Sequence, residues 1–405
     1  MRMRSKLISR IAAFNRERAI EPVRHQYAVM AEDPFAFYRA TAHLFYEDLN
    51  PRTLPGAPAV WCCGDAHLEN FGSFTGDNGL TYFDVNDFDE AALLPLSWEL
   101  ARFTTSVFIA GVAHQISKAD RGGYIRGFLA AYAGALAEGR ARWIERATAR
   151  GAVRVLLRSL RRRRLAELID ERTERRGGRL RLTIRKNHTL SLSPEERRDA
   201  LELLRTGRHD AGIAALEPVD AAFRIAGLAS LGLTRFIVLA RARTGTRAYG
   251  LIDIKESRRS LAAARSPFRQ PRWPSQAVRI VTLQRRLQAA SPAFLSTVRS
   301  GRTTYVVRAL QPDEDRLDLR RIVRRRPIFR ETLQTMAQVM AWGHIRSAGR
   351  EGSAPVDKLV QFAHQPRRWT RTVERFALRY GAQVEDDADA FAKAWRKERV
   401  PLPPG

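Results

Sequence analysis

The block FRIAGLASLGLTRFIVLARARTGTRAYGLIDIKES, residues 223–257, constrains the fold more than any other part of the chain. Its β-branched and aromatic runs read as a strand, a glycine-bounded turn, a second strand, a Thr-Gly turn and a third strand. Returns that short make neighbouring strands antiparallel. On either side the apolar spacing is mainly helical. Residues 1–50 carry Phe35, Phe37, Tyr38, Phe45 and Tyr46 as a bulky apolar face, and 98–176, 194–217, 275–298, 328–348 and 370–398 continue the helical pattern. RLRLTIRKNHTLSLS reads as a hairpin about Lys186-Asn187, and 303–310 as one more strand. The expected class is α+β: a small antiparallel β lobe over 218–312, inserted between a helical lobe over 1–217 and a helical remainder over 313–405.

A chain of 405 residues with 44% hydrophobic content can bury more than one core, which suits two lobes. No apolar run is long enough for a membrane span, and the start MRMRSKLISRIAAFNRER lacks the apolar stretch of a signal peptide. A cytoplasmic protein is expected. Cys62 and Cys63 are adjacent in an apolar run, a poor arrangement for a disulfide and too few ligands for a zinc site. The net charge of +27 would attract nucleic acid, anionic lipid or nucleotide phosphates. Arginine is spread along nearly the whole chain, however, so a solvated basic surface explains the charge as well as a nucleic-acid footprint does.

The chemistry concentrates in VWCCGDAHLENFGSF, where Asp65 stands five residues before Asn70 on a loop after an apolar strand. This is the D-x-x-x-x-N spacing of a kinase catalytic loop. The Asp must reach an acceptor hydroxyl while the Asn, one tight turn later, faces the metal that bridges nucleotide phosphates. Asp87 in NDFDEA follows a second strand and supplies a carboxylate for magnesium, with Asp84 and Asp89 as close competitors. His67 reads as a loop brace. The carboxylates give an acidic-lined mouth, which suits a cationic or hydroxylated small molecule as acceptor.

Cys63-Gly64-Asp65-Ala66-His67-Leu68-Glu69-Asn70 resembles the H-G-D-x-H-x-x-N loop of the aminoglycoside and choline kinase group within the protein-kinase-like superfamily. It matches at Gly64, Asp65, His67 and Asn70, and puts Cys63 where that group has His. Asp87-Phe88 resembles the metal-binding segment of the group, and Glu99-Leu100-Ala101 its D-L-A, with Glu99 as a loop brace. CGDAHLENFG, FDVNDFDEA and the later KES look like the bacterial DUF2252 family over most of the chain.

The resemblance implies a second half-site, a glycine-rich turn over the phosphates and a strand lysine. Gly227-Leu228-Ala229-Ser230-Leu231-Gly232 has the spacing of such a turn, with Ala229 at the middle glycine, so Gly227, Ser230 and Gly232 are the candidate phosphate contacts. Leu251-Ile252-Asp253-Ile254-Lys255 resembles the V-A-I-K strand and makes Lys255 the phosphate lysine. Both come after the catalytic loop, so the resemblance implies a circularly permuted, two-lobed protein-kinase-like fold, which surface termini permit. The helix containing Ala341-Trp342-Gly343-His344 would then be the one that leads into the catalytic loop in unpermuted relatives. From Ser257 to Gln311 there is no Asp or Glu to pair with the lysine, which leaves Gln284 as a neutral partner.

The expectation is an ATP- and magnesium-dependent phosphotransferase. Asp65, Asn70 and Asp87 are its catalytic residues, Asn70 and Asp87 its metal ligands, and the acceptor is a hydroxyl-bearing small molecule or a protein. Nucleotidyl transfer would use the same parts. The rival readings are a weak or dead kinase-like nucleotide-binding protein, or a basic protein that holds nucleic acid along Arg158 to Lys186.

Overall fold

The computed structural model describes residues 2–54, 56–162, 165–185, 188–207, 211–243, 249–310 and 316–404. Its largest sheet has six antiparallel strands in the spatial order Ser296–Ser300, Thr303–Ala309, Tyr249–Glu256, Arg235–Ala242, Leu216–Arg224 and Thr189–Leu190. Alternation along Tyr249–Glu256 decides what each face does. Ile252 and Ile254 point to one side and pack with Phe236, Val238 and Val307 beneath the helix Pro194–Thr206. Leu251 points to the other and joins Ile237, Leu239 and the Leu168-Ile169 pair. Asp253 and Lys255 continue along that second face, towards the helical part of the molecule.

The helical part is organised about Leu96–Ala113, which is buried around almost its whole circumference, Glu99 and Arg102 included. Lys118–Ala137, Arg326–Arg346 and Pro366–Arg396 pack around this region. Two small strand pairs lie beside it. Ala59–Cys62 pairs with Ala92–Pro95, and Phe71–Thr75 with Thr81–Val85. Because the inner pair is nested within the outer one along the chain, the loops 63–70 and 86–91 emerge side by side.

Several expectations change. Residues 1–50 form four helices, Arg2–Asn15, Ile20–Glu32, Pro34–Ala40 and Ala42–Asp48. The stretch 173–176 is a strand, paired with Arg179–Leu182 around Gly177 and Gly178, both of which have positive φ. The hairpin expected about Lys186-Asn187 does not form, because Arg179–Leu182 pairs with Thr173–Arg176 and Thr189–Leu190 with Leu216–Arg224; the residues 186–187 themselves, like the Thr-Gly turn at 244–245, lie outside the described residues. The helix expected over 275–298 runs only from Gln276 to Leu287, and Ser296–Ser300 is a strand. Among the described residues no helix is long and apolar enough to cross a membrane.

Candidate active site

Gly64 opens the first loop with φ of +86°, and a Cβ built on it would lie 2.0 Å from the Glu90 carbonyl oxygen. Only glycine allows the two loops to touch here. Its N–H donates to Glu99 Oε1 at 3.1 Å, and its carbonyl accepts from the Tyr46 hydroxyl. Glu99 Oε2 in turn meets His344 Nε2 at 2.6 Å, and His344 Nδ1 meets the Tyr132 hydroxyl at 2.6 Å. Burial works against the charge on Glu99, yet the His344 contact holds its carboxyl below the ordinary range. Glu99 therefore braces the loop, and the helix bearing His344 stands directly behind it.

Asp65 Oδ1 accepts from Arg102 Nε at 2.9 Å. Arg102 is fully buried, lies 3.7 Å from the Tyr38 ring centre, and donates Nη2 to the Tyr38 carbonyl at 3.0 Å. Burial opposes its charge, while Tyr38 and Asp65 raise its pKa above the ordinary value. One carboxylate oxygen of Asp65 is thus tethered and the other is available at the cavity. The Asn70 amide nitrogen donates to the Asp65 carbonyl at 2.9 Å and to the Asp87 carbonyl at 3.4 Å, so the amide is turned with its oxygen as the uncommitted atom. His67 is buried, and burial with Arg39 and Arg102 nearby depresses its pKa well below the usual value. It is a neutral wall of the cavity.

In the second loop the three aspartates separate clearly. Asp84 is buried away from the cavity and bonded to Val85 N–H at 2.8 Å, Ala289 N–H at 3.1 Å and Arg346 at 3.1 Å, which makes it a structural anchor. Asp87 lines the cavity with half of its side chain accessible, 3.7 Å from Lys255 Nζ. Asp89 forms a closer ion pair with the same ammonium. Desolvation works against both charges. Lys255 and Arg308 nevertheless hold Asp87 below the ordinary carboxylate range, while the proximity of Asp87 helps push Asp89 above it. Arg279 staples this loop in place, donating to the carbonyls of Ala91 at 2.6 Å and Asp89 at 2.7 Å.

The expectation about the lysine's partner is corrected here. Gln284 is buried against Gln288 at 3.0 Å and plays no part at Lys255, whose acidic partners come from the earlier loop. The glycine-bounded turn forms a short 3₁₀ segment, Leu228–Ser230, preceded by Gly227 with φ of +78°. Gly227 and Ser230 line the cavity. Gly232 does not; it packs against Arg18, whose Cβ would lie 2.8 Å from a Cβ at that position. The turn is held by Arg18, which donates to Ala229 and Leu231 carbonyls at 2.8 and 3.2 Å, and by Gln26, which donates to Leu228 at 2.7 Å.

One cavity of about 190 Å³ thus gathers Asp65, Asn70, Asp87, Gly227, Ser230 and Lys255. Its mouth is of mixed charge rather than acidic, because Arg18, Arg39, Arg258, Arg259 and Arg316 line it as well. On the sheet side, Asp253 is 1% exposed and is met by Arg235 at 2.6 Å, Arg224 at 2.9 Å and Arg308 at 3.6 Å. Three guanidinium groups share one carboxylate, and Arg235 and Arg308 reach the cavity. Sequence reasoning missed Arg102, Asp89 as lysine partner, and this cluster. Arg102 could have been found, since it follows Glu99 by one helical turn. The arginines around Asp253 come from three strands whose register no local pattern reveals.

Fold and site together define an α+β protein in which an antiparallel sheet and a helical part share one polar cleft. The chain belongs to the family described as "Uncharacterized protein conserved in bacteria (DUF2252)", whose model matches residues 18–394. Searches of curated proteins and of solved structures returned no match.

Proposed function

We propose that this protein is a magnesium- and ATP-dependent phosphotransferase of the protein-kinase-like type, with its site segments in circularly permuted order. The observation that carries this reading is the meeting of Lys255, from the sheet, with Asp87 and Asp89, from a loop of the helical part, in the cavity that also holds Asp65, Asn70 and the 227–230 turn. The donor set suits a hard divalent cation: Asn70 Oδ1 with Asp87, and Asp89 beside it, are all oxygen ligands, and magnesium asks for few of them plus water and phosphate. Asn70 and Asp87 would hold the magnesium, which would supply positive charge against the negative phosphates.

The chain's own residues do the rest. Lys255 leaves Asp89 for the phosphates, and Arg235 and Arg308 add positive charge on the same side. Asp65, oriented by Arg102, accepts a hydrogen bond from an acceptor hydroxyl through its untethered oxygen. The acceptor is a hydroxyl-bearing small molecule or a protein. Because the mouth mixes both charges, the preference for a cationic acceptor lapses.

The test is thermal unfolding with and without ATP and magnesium, since a ligand selective for the folded state stabilises it by about 2.7 kcal/mol at a hundred times its dissociation constant. Magnesium-dependent stabilisation by ATP that Asp87→Ala abolishes is the expected result. No shift at millimolar ATP would overturn the proposal. A shift without phosphate transfer to any acceptor would instead favour the nucleotide-binding, catalytically inactive reading.

A further inference from the structure

Outside the cleft, the strongest unassigned feature is the run 139–166, GRARWIERATARGAVRVLLRSLRRRRLA, which holds ten arginines and a single acidic residue, Glu145. Arg142, Arg146, Arg150, Arg154 and Arg158 recur every four residues, and all five are exposed. Arg142 is paired with Glu138 at 2.7 Å, whereas among the described residues Arg146, Arg150, Arg154 and Arg158 make no ion pair with a carboxylate. Beside them Trp143 is 53% exposed and Val155 70%, high values for large apolar side chains.

The helix Gly151–Arg162 separates two kinds of anionic partner. Its apolar residues Val153, Leu156 and Leu157 are already buried in the core of this molecule. An interfacial membrane helix must instead keep a broad apolar face for the bilayer, and here only Val155 and Trp143 remain outside. What is left is an exposed basic stretch with an indole in it, in which Arg142, Arg146, Arg150 and Trp143 lie on non-helical chain and Arg154 and Arg158 on the helix that follows. That combination suits a flexible polyanion whose bases can stack, because phosphates need positive charge and every base has a face to stack on Trp. Arg154 and Arg158 stand one helical turn apart, about 6 Å along the axis, so successive phosphates of an extended strand can be met in turn.

We propose that this surface, built from Trp143 and the arginines between 142 and 158, binds single-stranded nucleic acid. It is independent of the cleft and of the phosphotransferase reading. The test measures anisotropy of a fluorescein-labelled oligothymidylate with the full chain over a range of salt concentrations. Trp143→Ala is expected to weaken binding by at least about fivefold, and Trp143→Phe, which keeps a ring, by no more than about twofold. Arg154→Gln with Arg158→Gln should flatten the slope of log K against log salt by about 1.4. The control pair Arg367→Gln and Arg371→Gln, on an exposed part of another helix, should change it less. Thermal melting checks that each variant is folded, and because Trp143→Phe preserves the side-chain volume most closely, its comparison with Trp143→Gln replaces the alanine variant if that one does not fold. Equal effects of the control pair, or indifference to Trp143, would overturn the proposal. So would Trp143-dependent binding to phosphatidylserine vesicles in place of the oligonucleotide, since the surface would then belong to a membrane.

Discussion

His43 shows how strongly a single buried group is tied to its surroundings. Its ring stacks on Phe14 at 4.0 Å, and among the described residues neither ring nitrogen has a hydrogen-bond partner. Burial, reinforced by Arg10, Arg18 and Arg102, lowers its pKa to about 3. The folded state therefore holds the neutral ring where the unfolded chain takes up a proton near pH 6.5. A depressed pKa of this kind stabilises the fold above pH 6.5, and that contribution is lost as pH falls from 6.5 towards 3. His43→Phe should flatten this part of the stability profile, read from urea midpoints at pH 7 and pH 5. At pH 7 it should leave stability unchanged or raise it by about 1 kcal/mol, because a buried unpaired N–H is removed while the stack on Phe14 is kept. A variant as acid-sensitive as the wild type would show that another group titrates there.

At the scale of elements, the site depends on two loops that emerge together from nested strand pairs, and Gly64 is the point where they touch. Gly79 provides a fair comparison, since it also has positive φ, +76°, but open space where a Cβ would go. Gly79→Ala should cost about 1–2 kcal/mol for the left-handed backbone alone. Gly64→Ala must in addition displace the Glu90 carbonyl, so it should lower the melting temperature further and remove the magnesium-dependent stabilisation by ATP. Equal losses in the two variants would mean that loop contact is unimportant. Both loops were legible in the sequence because an apolar strand leads into each and Gly64 opens the first, whereas the strands Phe71–Thr75 and Ala92–Pro95 that complete the two pairs were not. The end of the helix at Leu287 was not. The residues that follow contain no breaker before Pro292, and what stops the helix is tertiary: Gln288 donates to the Val85 carbonyl at 2.6 Å, and Ala289 N–H donates to Asp84 at 3.1 Å. Local pattern also carried the helix through 173–176, although Gly177-Gly178 marks the hairpin turn that forms there.

At the scale of the whole molecule, the candidate residues were readable as two half-sites, yet how the cleft is closed was not, because its closure is made by contacts between segments over two hundred residues apart. Arg18 and Gln26, on and before the second helix, hold the 227–232 turn over the cavity through three hydrogen bonds to its carbonyls. The cavity volume of about 190 Å³ is smaller than the several hundred Å³ that drug-sized ligands occupy. If the nucleotide proposed above binds in this cleft, its triphosphate end matches such a space and the turn would have to lift to admit the whole molecule. If Arg18 and Gln26 keep it down, opening limits entry, and association should be slower than for a preformed pocket. The Arg18→Ala, Gln26→Ala double variant should therefore bind a fluorescent ATP analogue with an association rate several-fold above wild type in stopped-flow mixing. Its dissociation should quicken as well, because the same bonds would hold the turn closed over bound phosphates. An unchanged association rate would mean that the turn does not gate the cleft and that the nucleotide's base lies outside it.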